Sequence, residues 1–134
     1  MSCAVFINFD GDCRSAVEFY AKVFKQEFPQ VLTYGGTPGA GKGNDADKDR
    51  ILYTSLQVMD CNLMFSDCPS GFAHVKGNNI AISLGFTCED EARRVYAELS
   101  DGGTVQMPLG QTFFSKLFGM FRDKYGISWQ VSLQ

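Results

Sequence analysis

The chain has 134 residues, 45% of them hydrophobic and 20% charged, which suits one ordinary folded domain and excludes a disordered chain. A net charge of −3, with the twelve basic side chains scattered, leaves no electrostatic footprint for nucleic acid, and no stretch approaches the ~20 apolar residues of a membrane span. Residues 1–10 lack the basic and apolar regions of a signal peptide, and five cysteines without CxxC spacing read as reduced thiols rather than a disulfide framework or zinc site; both features predict a cytoplasmic protein.

The first predicted element is a strand over Cys3–Phe9, rich in Val, Phe and Ile. Gly11 and Asp12 then punctuate the chain, with Asp12 the expected N-cap of a helix over Cys13–Phe24. In that helix Ala16, Phe19, Tyr20, Val23 and Phe24 recur at helical spacing, the mark of an amphipathic helix lying on a sheet. A second strand is predicted over Phe28–Tyr34, followed by a Gly- and Asp-rich loop, Gly35–Asp49. Two strands follow, Ile51–Val58 and Asn62–Ser66, joined by a tight turn at Met59–Asp60–Cys61. Residues 67–78, polar and broken by Pro69, Gly71 and Gly77, read as a linker.

The second half repeats this order. A strand is predicted over Asn79–Phe86, and Thr87 and Asp90 stand at capping-box spacing before a helix over Glu89–Leu99. Asp101–Gly102–Gly103 ends that helix. Three strands follow, Thr104–Pro108, Leu117–Arg122 and Ser128–Leu133, the last two flanking the turn signal Asp123–Lys124–Tyr125–Gly126. A displacement of 76 residues lays Ala16, Phe19, Tyr20, Ala21 and Val23 on Ala92, Val95, Tyr96, Ala97 and Leu99. The expectation is therefore one α+β domain, 1–134, made of two βαβββ modules: residues 1–66, the linker 67–78, and residues 79–134. Two copies cannot make a solenoid, so two half-shells that share a cleft are the predicted product.

Ile7-Asn8-Phe9-Asp10-Gly11-Asp12-Cys13, followed by Ala16, Glu18, Phe19 and Tyr20, resembles the opening of PhnB-like proteins of the vicinal-oxygen-chelate (glyoxalase/bleomycin-resistance/dioxygenase) superfamily. Leu63-Met64-Phe65-Ser66-Asp67, Gly77-Asn78-Asn79, Met107-Pro108, Gln111-Thr112-Phe113-Phe114, Phe118-Gly119-Met120, Asp123-Lys124-Tyr125-Gly126 and Trp129 extend the resemblance over nearly the whole chain. It implies curved mixed sheets around the cleft (a glyoxalase/bleomycin-resistance-like fold) and a homodimer. It also implies that four cleft positions, one on the first and one on the last strand of each module, would hold a divalent ion in the metal-using members. Here these positions fall on Val5 (or Phe6, with the strand shifted by one), Met64, Asn79 and Gln130. A valine or phenylalanine cannot ligate, a thioether is soft, and two neutral amides lack the carboxylate or imidazole such ions need. The expectation is no metal and no other cofactor.

Three further features carry less chemistry. Gly36-x-x-x-x-Gly41-Lys42 matches most of a phosphate-binding loop, but Gly43 stands where a Ser or Thr should meet magnesium, so a plain loop is expected. His74, the one histidine, belongs to no nucleophile motif and reads as a surface residue. Trp129 and Gln130 alternate on the last strand, which assigns Trp129 to the helix-packed core and Gln130 to the cleft. The predicted function is binding of a small organic molecule, with Val5, Met64, Asn79, Gln130, Tyr53 and Phe114 lining the cleft and no residue assigned a catalytic role. The alternatives are a metal-dependent enzyme of the superfamily, of lyase, dioxygenase or thiol-transferase type, and a dimeric protein with a vestigial cleft.

Overall fold

The computed structural model describes residues 1–37 and 47–134. Gly41, Lys42 and Gly43 of the phosphate-loop pattern lie outside the described residues. The chain divides into two compact units, Met1–His74 and Val75–Gln134, with the boundary inside the predicted linker. The first unit contains β1 (Val5–Phe9), α1 (Cys13–Val23), β2 (Leu32–Thr33), β3 (Ile51–Val58) and β4 (Cys61–Asp67). The second contains β5 (Ile82–Phe86), α2 (Glu89–Ser100), β6 (Thr104–Gly110), β7 (Leu117–Arg122) and β8 (Ser128–Leu133). Each unit builds a four-stranded mixed sheet, in the orders β1-β4-β3-β2 and β5-β8-β7-β6. The first and last strands of each unit run parallel, and the other pairs are antiparallel. The α+β class and the strand–helix–three-strand order are as expected from the sequence. Among the described residues no helix is long and apolar enough to cross a membrane.

In the first unit α1 buries Cys13, Ala16, Val17, Tyr20, Ala21 and Val23; of the expected stripe Ala16, Tyr20 and Val23 are buried, whereas Phe19 and Phe24 are only half-buried. Tyr20 stacks on Phe65 at 5.9 Å between ring centres, and Phe65 stacks on Phe9 at 6.3 Å. The same face of the sheet presents Leu63, Thr54, Leu56 and Val58, all buried, so one layer of side chains forms this unit's core. In the second unit Ala92, Val95 and Leu99 of α2 are buried. Tyr96 meets Phe121 edge-on at 5.1 Å, and Phe121 lies in register with the fully buried Trp129. The helix-side placement expected for Trp129 is therefore observed. Gly119 lets α2 approach this closely, because a Cβ there would stand 2.7 Å from the Tyr96 ring.

Local departures from the sequence reading have local causes. Strand β2 shrinks to two residues because Pro29 offers no N–H and the Gln30 carbonyl accepts its bond from the Thr54 hydroxyl (2.8 Å) instead of a ladder partner. Strand β5 begins at Ile82 rather than Asn79, since Ile82 is in register with Trp129 and the partner strand starts only at Ser128. Strand β6 runs on to Gly110 with two register irregularities, and its position at the sheet edge accommodates Pro108. Asp12 stands at the N-cap of α1 as expected, whereas Cys88 rather than Thr87 stands at that of α2, and neither side chain makes a capping bond.

Candidate functional site

Each sheet has one face packed on its helix and one face turned away from it. Register fixes which residues share the open face. In the first sheet Phe6, Met64 and Ser55 lie side by side on β1, β4 and β3. Two residues along, Asn8 lies beside Ser66, and the same register continued sets Tyr53 next in that row. The Ser66 hydroxyl donates to the Asn8 side-chain oxygen at 2.6 Å. Phe6 is 49% exposed and Tyr53 37%, high values for aromatic side chains in a strand. In the second sheet Ser83, Gln130 and Met120 form the equivalent row, and Ser132 stands beside Phe118. Phe114, in the segment before β7, packs edge-on against Phe118 at 4.9 Å.

The expected site residues divide accordingly. Met64 and Tyr53 share the open face of the first sheet. Gln130 lies on the open face of the second, where Phe114 covers Phe118. Val5 does not join them. It is in register with Leu63, on the α1 side, and Phe6 takes the open-face position. Asn79 lies in the exposed segment ahead of β5, and Ser83 is the residue beside Gln130. The displacement of 76 read from the helices carries Phe6 to Ile82, not to Ser83. Three residues separate β1 from α1 and two separate β5 from α2, so the strands are displaced by 77 residues where the helices are displaced by 76.

The donor chemistry of these rows does not suit a divalent metal. The first-strand/last-strand pairs on the open faces are Phe6 with Met64 and Ser83 with Gln130: a phenyl ring, a thioether, a hydroxyl and a carboxamide. Among the described residues no group of three or more His, Cys, Asp or Glu side chains is gathered to hold an ion.

Charge in the first unit is concentrated instead at the end of the parallel β1–β4 pair. Asp67 is buried, and its carboxylate accepts from the backbone N–H groups of Gly11 (2.8 Å), Cys13 (3.0 Å) and Ile51 (2.9 Å). Arg50 donates to Asp10 (2.9 Å) and to the Cys68 carbonyl (2.8 Å), and it lies 3.3 Å from the Asp47 carboxylate. The hydrogen bond from Arg50 holds Asp10 below the usual carboxylate range. His74 is half-buried, with its Nε2 2.9 Å from the Asn8 carbonyl on β1, the sheet's edge strand. It closes part of that edge, a role its isolation in the sequence did not announce.

The thiols differ in environment. Burial pushes Cys13 far above its ordinary pKa, with the nearby Asp67 carboxylate adding to the shift; Cys68 is also raised, chiefly by desolvation. Cys3 and Cys88 are exposed. Iodoacetamide at mildly alkaline pH is therefore expected to alkylate Cys3 and Cys88 first, Cys68 more slowly, and Cys13 only on unfolding. A peptide-resolved mass-spectrometric time course checks the order, and early labelling of Cys13 contradicts it.

Residues 2–132 match the family model described as 3-demethylubiquinone-9 3-methyltransferase. The chain is 23% identical to protein YjdN of Escherichia coli K12, over 99% of this chain and 95% of that one. The crystal structure of protein PA1353 from Pseudomonas aeruginosa matches with a TM-score of 0.90 and 33% identity, covering 100% of this chain and 98% of that one. A putative 3-demethylubiquinone-9 3-methyltransferase, PhnB protein, from Bacillus cereus matches with a TM-score of 0.80 and 25% identity over the whole of both chains. Two solved glyoxalase-related proteins share the fold alone, at 13% and 15% identity with TM-scores of 0.62 and 0.56. Full-length agreement in sequence and in both sheets places the chain in the PhnB-like family described as 3-demethylubiquinone-9 3-methyltransferase, built on the glyoxalase/bleomycin-resistance fold.

Proposed function

We propose that this protein binds a small organic molecule without a metal ion, on the open faces of its sheets, and acts as a cytoplasmic homodimer. The observation that carries the reading is the patch of Phe6, Met64, Ser55, Asn8, Ser66 and Tyr53 across β1, β4 and β3. Apolar surface with a few convergent polar groups is the usual composition of a small-molecule site. A strand centre that places a half-exposed phenylalanine beside a methionine, away from the helix, leaves apolar area that a ligand would remove from water.

The methyl transfer named in the family description draws no support from this chain. No glycine-rich turn of dinucleotide type follows a strand. Metal-dependent lyase, dioxygenase and thiol-transferase chemistry each needs an ion as Lewis acid, and the residues in the ligand rows do not suit one.

Native mass spectrometry of the purified protein, set beside its denatured mass and followed by ligand-observed NMR with a fragment library, tests the proposal. The expected result is a dimer with no bound metal, and either a small organic mass released on denaturation or fragment binding that Met64→Glu abolishes. One tightly held metal ion per subunit would overturn the metal-free reading. A protein that retains no organic mass and binds no fragment would overturn the binding reading.

A further inference from the structure

We infer that the molecule held on the open face of the first sheet is an uncharged, flat ring system of about bicyclic size, with hydrogen-bonding groups at one end. This rests on the binding reading above and adds to it the class of ligand. The first argument is dimension. Three adjacent strands about 4.8 Å apart span ~10 Å, and two residues along a strand add ~7 Å. The two rows Phe6–Met64–Ser55 and Asn8–Ser66–Tyr53 thus outline a patch the size of two fused six-membered rings.

The second argument is chemistry. The Phe6 ring and the Met64 thioether supply a polarisable floor at one end, suited to an aromatic face. The polar groups gather in the other row. The Ser66 hydroxyl donates to Asn8 Oδ1, which orients the Asn8 amide so that its N–H2 group points away from Ser66, and the Tyr53 hydroxyl belongs to the same row. A ring carbonyl or hydroxyl directed toward this row would find donors.

The third argument is charge. The residues that register places on this face are Phe6, Asn8, Leu32, Tyr53, Ser55, Gln57, Asn62, Met64 and Ser66, all neutral. The nearest carboxylate along β1, Asp10, is paired with Arg50, which is also bonded to the Cys68 carbonyl and lies beside Asp47. Among the described residues, a carboxylate, phosphonate or ammonium group settling on the two rows would lose hydration and find no charged side chain within them, a penalty that a neutral ring escapes; His74, at the Asn8 carbonyl, lies beside the patch.

The test uses one ring in three charge states: 2-naphthol, 2-naphthoate and 2-naphthylmethylammonium at pH 7, titrated into the full-length protein by calorimetry and ligand-observed NMR. The expected result is binding of the naphthol, with both ions weaker by about tenfold or more. Met64→Lys is expected to reverse the preference in favour of the naphthoate, and circular dichroism of that variant confirms that it is folded. An ion that binds the wild-type protein as tightly as the naphthol overturns the inference. Failure of all three rings while other library fragments bind overturns the ligand class and leaves the binding reading standing. Failure of every fragment removes both.

Discussion

Replacing Asp67 with alanine is expected to destabilise the protein by about 3–5 kcal/mol, taking about 1–3 kcal/mol for each buried donor left unpaired. Its carboxylate accepts three backbone N–H groups from separate parts of the first unit: Gly11 in the β1–α1 turn, Cys13 in the first turn of α1, and Ile51 at the start of β3. The Cys13 and Ile51 bonds are buried, so water cannot replace the lost acceptor cheaply. The carboxylate also supplies the negative charge that a helix N-terminus favours, which Asp12, although at the N-cap, provides through no side-chain bond. Asp67→Asn keeps one acceptor oxygen and turns an amide N–H2 toward a donor, so it should recover only part of the loss. Tyr34→Phe is the local control. It removes the hydroxyl that donates to the Asp67 backbone carbonyl at 2.8 Å and should cost about 1 kcal/mol. Urea unfolding followed by circular dichroism measures all three. An Asp67→Ala loss no larger than that of Tyr34→Phe would remove the carboxylate from its assigned role.

The same residue shows where the sequence stops being legible. Asp67 follows a strand and precedes Pro69 and Gly71, and local rules place it in a linker. Its structural partners lie 16 to 56 positions away, beyond any local signal. Periodic signals fared better, because they depend only on neighbours. Helix α1 stands where its periodicity predicts, and β3 spans Ile51–Val58 as expected. Between these extremes lie errors of strand placement. Val5 and Phe6 are both apolar, so alternation alone cannot say which faces the helix; pairing with Leu63 decides it. Asn79 is the more tempting amide by type, but β5 starts only at Ile82, so Asn79 lies ahead of the strand and Ser83, four residues on, takes the place beside Gln130. In both cases the missing information is the partner strand, and the partner is nearly 50 or more residues away.

The second unit repeats the architecture but not the device that secures it. At the end of its first and last strands no buried carboxylate takes the place of Asp67; Leu133 stands in register with Phe86 where Asp67 stands with Phe9. The buried carboxylate is Asp123 instead, in the β7–β8 turn. It accepts from the N–H groups of Tyr125 (2.8 Å) and Ile127 (3.1 Å) through one oxygen and from the Trp129 indole N–H (2.8 Å) through the other. One side chain thereby ties the hairpin turn to the largest core residue. Trp129→Ala is expected to cost about 3–5 kcal/mol through lost burial and the cavity left on the α2 side. Trp129→Phe separates the two contributions, since it keeps an aromatic ring and deletes the donor. A double-mutant cycle of Trp129→Phe with Asp123→Asn, followed by urea unfolding, should show a coupling of about 1.5–3 kcal/mol, the range for a hydrogen bond to a charged group. A coupling near zero would mean that Trp129 is held by packing alone and that Asp123 acts only on the turn. The expected coupling would mean that hairpin geometry and core packing are fixed together, so that substitutions in the turn are felt at the α2 interface.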